Sequence, residues 1–289
     1  EANKTLATAG RLFAELFALA PAVDRGTVIV ALGGGVGGDV AGFVAATALR
    51  GLRWVQCPTT LLADVDASVG GKTAVDHPAG KNLIGAFHQP RGVWIDVETL
   101  ATLDARQVRG GLAECVKHGV IRDVSLLDLL QGRAGELLAR RPEPMTELIA
   151  RNVAIKAAVV AADEREAGQR AHLNFGHTVG HAVEVLQGLG ALSHGEAVSL
   201  GMTAANALAV RRGLLAEADA ARVAVLLEAL GLPTRQAGLD ADAVWSVMQH
   251  DKKARGGKVR MVLCEGLGRV GIYDDVTPDE VAAALGALA

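Results

Sequence analysis

Apolar and polar positions follow one rhythm before residue 103 of this chain and another after it. In the first part, short β-branched runs alternate with Ala-rich helical stretches. Thr27–Leu32 (TVIVAL) ends in glycines and predicts a buried strand. Asp39–Leu49 predicts a helix, Arg53–Cys57 (RWVQC) a second strand closed by Pro58, and Gly92–Asp96 (GVWID) a third. Strands alternating with helices predict an α/β layer built on a parallel sheet. After residue 103 the pattern becomes helical, with segments expected at Ala105–Val120, Pro144–Ala161, His172–Leu186, Glu196–Arg212 and Ala216–Leu230. Gly231-Leu232-Pro233 stops the last of these. Lys258–Cys264 and Arg269–Tyr273, on either side of EGLG, predict a hairpin added to the helical part. The expected organisation is an α/β domain at 1–102 and a mostly α-helical domain at 103–289.

Composition narrows the class. The 289 residues suffice for two ordinary domains, and with aromatics at 3% the core must be built from Ala, Val and Leu. A net charge of -3 without a basic stripe gives nucleic acid no electrostatic footing. Cys57, Cys115 and Cys264 are far apart and form no CxxC, which predicts a reducing, cytoplasmic setting instead of a disulfide framework. No apolar run is long enough for a membrane span, and EANKTLATAGRLF lacks the pattern of a signal peptide.

The densest chemistry lies in LNFGHTVGHAVEVLQGLGALSHGE, Leu173 to Glu196. His177 and His181 are four apart, so a helix projects both from one face. His194 follows a Gly-containing break, and a helix–loop–helix could gather all three imidazoles around one divalent ion. A zincin-type peptidase is excluded, because HExxH needs Glu after the first His and Thr178 stands there.

Gly33, Gly35 and Gly38 satisfy GxGxxG between the first strand and the next helix, where a pyrophosphate could meet backbone N–H groups and a helix N-terminus. Further on, Pro58-Thr59-Thr60, Asp66, Gly70-Gly71-Lys72-Thr73 and Gly80-Lys81-Asn82 form an anion-binding composition, with Lys72 and Lys81 in Gly-framed turns. A Walker loop is excluded, since Asp66 stands where its first Gly belongs. Glu114 and Lys117 are one helical turn apart and read as a surface ion pair. Arg170 and Asn174 are expected on the helical approach to His177, and Asp251-Lys252-Lys253 as a solvated helix cap.

Together these segments resemble the 3-dehydroquinate synthase family over nearly the whole chain. The resemblance is carried by GGGVGGDVAGFVA, RGLRWVQCPTTLLADVDASVGGKTAVDHPAGKNLIGAFHQP, GGLAECVKHGVI, ADEREAGQRAHLNFGHTVGHAVE, SHGEAVSLGM and DKKARGGKVRMVL, in that order. It implies a Rossmann-like NAD-binding domain that lacks its first strands here, because a segment preceding EANKTL in the family is absent. It also implies a helical metal- and substrate-binding domain. The implied reaction converts 3-deoxy-D-arabino-heptulosonate 7-phosphate into 3-dehydroquinate and phosphate, with catalytic NAD and one Zn²⁺ or Co²⁺. By similarity the metal ligands are Glu114, His177 and His194, which leaves His181 for substrate chemistry. The implied NAD contacts are Glu1, Ala2, Asn3, Lys4, Thr5 and Leu6, then Gly35, Val36, Gly37, Gly38 and Asp39, with Thr59, Thr60, Lys72, Lys81, Thr99, Leu100, Ala101 and Thr102. The implied substrate set is Asp66, Lys72, Asn82, Lys117, Arg170, Asn174, His181, Lys252 and Lys253. Arg50 matches a position that reaches the neighbouring subunit's site, which implies a homodimer. The rivals are cyclases making an inosose, valiolone or amino-dehydroquinate product, a metal-dependent polyol dehydrogenase, and a metal-stabilised scaffold without activity.

Overall fold

The computed structural model describes residues 1–166, 168–188, 191–250 and 258–289. The chain divides into two compact units, Glu1–Leu103 and Asp104–Ala289.

In the first unit, α1 (Leu6–Phe17) is capped by the Thr5 hydroxyl, which accepts from Thr8 N at 3.1 Å. It is followed by β1 (Val28–Gly33), α2 (Gly35–Thr47), β2 (Arg53–Pro58), β3 (Lys72–His77) and β4 (Gly80–Phe87). Strands β1 and β2 pair in parallel, from Val28↔Arg53 to Gly33↔Pro58. The expected third strand at 92–96 shrinks to one parallel bridge, Gln56↔Val93. One face of this sheet packs Ala31 and Trp54 against Ala45 of α2. On β1 the alternate side chains Val28, Val30 and Leu32 are exposed, the last at 73%. Parallel sheets ordinarily bury both faces, so this apolar row stands out.

Helix α2 can lie close to the sheet because its inward face is glycine. A Cβ on Gly38 would fall 2.1 Å from Gln56 Nε2, and one on Gly42 would fall 2.4 Å from Thr73 Cγ2. The antiparallel pair β3–β4 occupies a region expected as Gly-framed turns. Thr73 and Val75 alternate inward on β3, Val75 fully buried against Ala9, Val40 and Phe43 and Thr73 Oγ1 donating to Ala86 O at 2.9 Å, and this makes the stretch a hairpin.

The second unit contains α3 (Ala105–Arg122), α4 (Val124–Gly132), α5 (Ala134–Leu138), α6 (Pro142–Ala162), α7 (His177–Gln187), α8 (His194–Arg211), α9 (Glu217–Ala229), α10 (Ala241–His250), the pair β5 (Met261–Cys264) and β6 (Val270–Tyr273), and α11 (Pro278–Gly286). The single helix expected over His172–Leu186 is broken. A 3-10 segment covers Gln169–Asn174, and Gly176 at φ 75° starts α7 afresh. Helices α7 and α8 approach at glycines: a Cβ on Gly201 would sit 1.8 Å from Gly176 O, and one on Gly180 2.6 Å from Ala197 O. The hairpin β5–β6 is antiparallel as expected, from Met261↔Tyr273 to Cys264↔Val270.

Candidate functional site

In the helical unit, α3 buries a carboxylate. Glu114 has no solvent exposure, and Lys117 one turn on is 1% exposed and pairs with Glu114 Oε2. The surface pair expected from sequence is therefore a core pair, enclosed by a helix buried from Val108 to Ile121 apart from Arg109. Such burial is tolerable only when the charges are compensated. Glu114 Oε1 accepts no protein hydrogen bond, yet it faces His177 Nε2 at 3.6 Å and His194 Nε2 at 3.4 Å. The donor atoms of Glu114, His177 and His194 all lie within 4.8 Å of one another.

His177 comes from the first residue of α7, and its Nδ1–H donates to Phe175 O at 3.0 Å. That leaves the Nε2 lone pair pointing at a carboxylate oxygen. Burial pushes the His177 pKa down to about 4 despite the attraction of Glu114, so this ring is neutral at neutral pH. Burial lowers the pKa of His194 as well, but its contact with Glu114 outweighs this and raises the net value. Burial would raise Glu114, while Lys117 and the two imidazoles hold it well below the usual carboxylate range. A neutral imidazole facing an ionised carboxylate is repulsive unless a cation lies between them. Two nitrogens and one carboxylate oxygen, open at the ring edges (26% and 43% exposed), fit a divalent ion with positions left for substrate. Glu184 Oε2 lies 4.0 Å from His194 Nδ1, where a carboxylate orients a ligating ring.

His181 is on α7 one turn beyond His177 and is not one of these three donors. Arg170 is 3% exposed; its N–H donates to Asp163 Oδ2 at 3.0 Å and its guanidinium to Glu164 O. Asn174 Nδ2 donates to Glu166 Oε1 at 2.8 Å. Both therefore belong to a folded 3-10 segment and loop instead of the helix expected there. Lys252 and Lys253 lie outside the described residues.

In the α/β unit, α2 begins at Gly35 after Gly34, which offers no side-chain cap. The first intrahelical bond formed from this end is Gly38 N–H to Gly34 O at 3.1 Å. The N–H groups of Gly35, Val36 and Gly37 are left at a positive helix end, suited to a phosphate. Open space lies over Gly33 and Gly37, where an added Cβ would meet nothing within 4 Å. Gly38 instead serves helix–sheet contact, the part the third glycine plays in a dinucleotide turn. Thr59 N donates to Gly33 O at 3.0 Å, which places the 59–60 turn beside the glycines. The donor set and the open glycines fit a dinucleotide.

Lys4, 4% exposed, donates to Asp39 Oδ2 at 2.5 Å and also to Asn82 Oδ1. It thus joins two stretches that sequence placed in separate cofactor and substrate sets. Asn82 is left-handed, at φ 57°. Burial raises the Asp39 pKa against the pull of Lys4. Of the other expected contacts, Glu1, Ala2, Asn3, Leu6, Lys72 and Arg50 are exposed, and Thr5, Asp66 and Lys81 half-buried. Thr99–Thr102 lies in a 3-10 turn where Leu100 is buried and Thr99 Oγ1 donates to Asp96 O at 2.7 Å.

Sequence reading missed several buried polar residues, Lys156, Asn152 and Asp64 among them. Lys156 of α6 is 6% exposed, and Asn152 one turn earlier meets His118 Nδ1 at 2.9 Å. Asp64 has no exposure, and neither carboxylate oxygen has a partner. The signal available for Lys156 was a lone charge inside a helical apolar run, and for Asp64 a carboxylate set between Leu61-Leu62-Ala63 and Val65.

Comparison with known proteins agrees with both halves. Residues 1–110 match the family model for the 3-dehydroquinate synthase N-terminal region, and residues 111–254 match that for the 3-dehydroquinate synthase C-terminal region. A 3-dehydroquinate synthase from Synechococcus sp. (strain CC9605) is 51% identical over 91% of this chain and 71% of that protein. One from Nostoc sp. (strain PCC 7120 / SAG 25.82 / UTEX 2576) is 49% identical over 99% of this chain and 79% of that protein. Among solved structures, 2-epi-5-epi-valiolone synthase from Streptomyces hygroscopicus subsp. jinggangensis 5008, with NAD⁺ and Zn²⁺ bound, is 34% identical with a TM-score of 0.93, covering 100% of this chain and 80% of that one. A 2-deoxy-scyllo-inosose synthase complexed with carbaglucose-6-phosphate, NAD⁺ and Co²⁺ is 30% identical with a TM-score of 0.86, covering 98% of this chain and 80% of that one. A glycerol dehydrogenase from Schizosaccharomyces pombe, 17% identical with a TM-score of 0.67, shares the fold. The chain belongs to the 3-dehydroquinate synthase family.

Proposed function

We propose that this enzyme converts 3-deoxy-D-arabino-heptulosonate 7-phosphate into 3-dehydroquinate and inorganic phosphate, a carbon–oxygen lyase reaction with no net redox change. The observation that carries the reading is the convergence of Glu114, His177 and His194 in a chain about half identical to 3-dehydroquinate synthases. Glu114, His177 and His194 would hold Zn²⁺ or Co²⁺, and the glycine turn with the α2 N-terminus would hold NAD. The bound nucleotide would supply a reversible hydride acceptor, and the divalent ion a Lewis acid toward substrate hydroxyls.

The remaining work falls to this chain's own residues. Lys117, buried and paired with Glu114, would meet an anionic group of the substrate in this reading. Arg170 and Asn174, whose donors are held by Glu164 O and Glu166 Oε1, would turn to a substrate carboxylate in this reading, which would favour dehydroquinate over inosose or valiolone products. His181, one turn from His177, is suited to carry a proton at an imidazole nitrogen during phosphate loss. Asp66, Lys72 and Asn82 belong to the same substrate reading, as do Lys252 and Lys253. The reading includes a cytoplasmic homodimer in which Arg50 reaches the partner's site. It is supported by the exposure of Arg50 at φ 66° in a turn between α2 and β2. No helix of the described residues is long and apolar enough to cross a membrane.

Turnover of the heptulosonate phosphate with stoichiometric phosphate release and constant NADH is the expected result. Steady NADH accumulation would instead identify a polyol dehydrogenase.

A further inference from the structure

Arg106, Gly110 and Glu114 are spaced by four on α3 and share one face of that helix. All three face the start of α8. Glu114 faces His194, as described above. At Gly110 the two backbones touch: a Cβ on Gly195 would lie 2.3 Å from Gly110 Cα. At Arg106 the guanidinium takes Glu196 in a two-point grip, Nε donating to Oε1 at 2.9 Å and Nη2 to Oε2 at 2.6 Å. The same Nη2 also donates to Ala191 O at 2.8 Å, in the approach to α8.

Glu196 has a second task. It is the third residue of α8 and closes a capping box: its Oε2 accepts from Ser193 N at 2.8 Å, and Ser193 Oγ accepts from Glu196 N at 3.4 Å. His194 lies between the two capping residues. One carboxylate therefore shapes the turn that presents His194, and Arg106 ties that carboxylate to the helix that presents Glu114.

We propose that Arg106, acting through Glu196, is a positioning residue for the metal centre: it fixes His194 Nε2 relative to the Glu114 carboxylate and so sets the affinity for the divalent ion. The inference rests on the metal reading above and deepens it. An exposed ion pair adds little to global stability, and the Arg106 side chain is 43% exposed. Its effect falls on ligand geometry, where groups that orient ligating residues change metal affinity about 10–100-fold.

The test compares Arg106→Gln, Arg106→Lys, Glu196→Gln and the Arg106→Gln/Glu196→Gln double variant with the parent chain. Glu196→Gln keeps a residue able to close the capping box while removing the charge that Arg106 grips. Zn²⁺ affinity is measured by competition with a chromophoric chelator, Co²⁺ geometry by its visible spectrum, and stability by melting of the metal-free protein. Arg106→Gln and Glu196→Gln each weaken Zn²⁺ binding about tenfold or more and alter the Co²⁺ spectrum. Arg106→Lys retains part of the affinity, and the double variant binds no worse than the weaker single. Metal-free melting stays close to the parent's. Single variants with parental affinity and spectrum overturn the proposal, as does an affinity loss matched by a parallel loss of metal-free stability. A parent chain that binds neither Zn²⁺ nor Co²⁺ overturns the metal reading itself.

Discussion

Two fully buried carboxylates show how neighbours decide what a residue can do. Glu114 is ringed by Lys117 and two imidazoles and stays ionised. Asp64 has no such company: burial alone raises its pKa from 3.8 to about 8. The folded chain therefore binds a proton at Asp64 that the unfolded chain has released, and stability falls as pH rises from about 4 to about 8. Asp64→Asn removes that titration. Its stability relative to the parent should improve across the window by roughly 4–6 kcal/mol, read from urea unfolding at each end. Glu280 shows the opposite sign. Hydrogen bonds from Arg212, which outweigh burial, depress its pKa to about 2. Its contribution is complete above the unfolded value of 4.5 and disappears as pH falls toward 2. Glu280→Gln should cost about 1 kcal/mol at neutral pH, with melting curves of variant and parent converging in acid.

Among the elements, glycines set how closely the site-bearing helices meet. Gly195 lies against Gly110, and Gly201 against Gly176, so α3, α7 and α8 approach backbone to backbone where Glu114, His177 and His194 emerge. Gly201→Ala should destabilise the fold by about 3 kcal/mol through overpacking, measured by chemical denaturation. Gly37→Ala makes the contrast, since open space receives its methyl. It should leave stability equal or up to about 1 kcal/mol higher and weaken NAD binding about tenfold, measured by calorimetry. Much of this level was legible in sequence. The parallel pair β1–β2 and the long helices α3, α6, α8 and α9 followed from hydrophobic period; residue spacing pointed to His177 and His194 but also to His181, which is not among the grouped donors. The break at Gly176 was hidden because apolar spacing continues through it, while the backbone turns left-handed to meet α8. The hairpin β3–β4 was hidden because its glycines and lysines read as loop chemistry, although Thr73 and Val75 alternate into the core. The Arg106–Glu196 grip spans 90 positions, and no local pattern announces such a contact.

For the whole molecule, fold and activity carry separate information. The same architecture occurs in glycerol dehydrogenases at 17% identity and in cyclases that make other rings, so architecture alone does not select the reaction. What points to the reaction is identity of 51% to a 3-dehydroquinate synthase, and the donors proposed above are where it would be decided. Removing one ligand should separate folding from loading: His194→Ala is expected to stay folded by circular dichroism and to retain less than about a tenth of the parent's Zn²⁺ affinity. Normal metal content in that variant would contradict the ligand set. The central claim is tested most directly by following phosphate release and nicotinamide absorbance together, with the heptulosonate phosphate, NAD⁺ and Zn²⁺ or Co²⁺ supplied. Continuous phosphate release at constant NADH is the predicted result. NADH that accumulates with turnover, or phosphate release undiminished after complete removal of the metal, would contradict it.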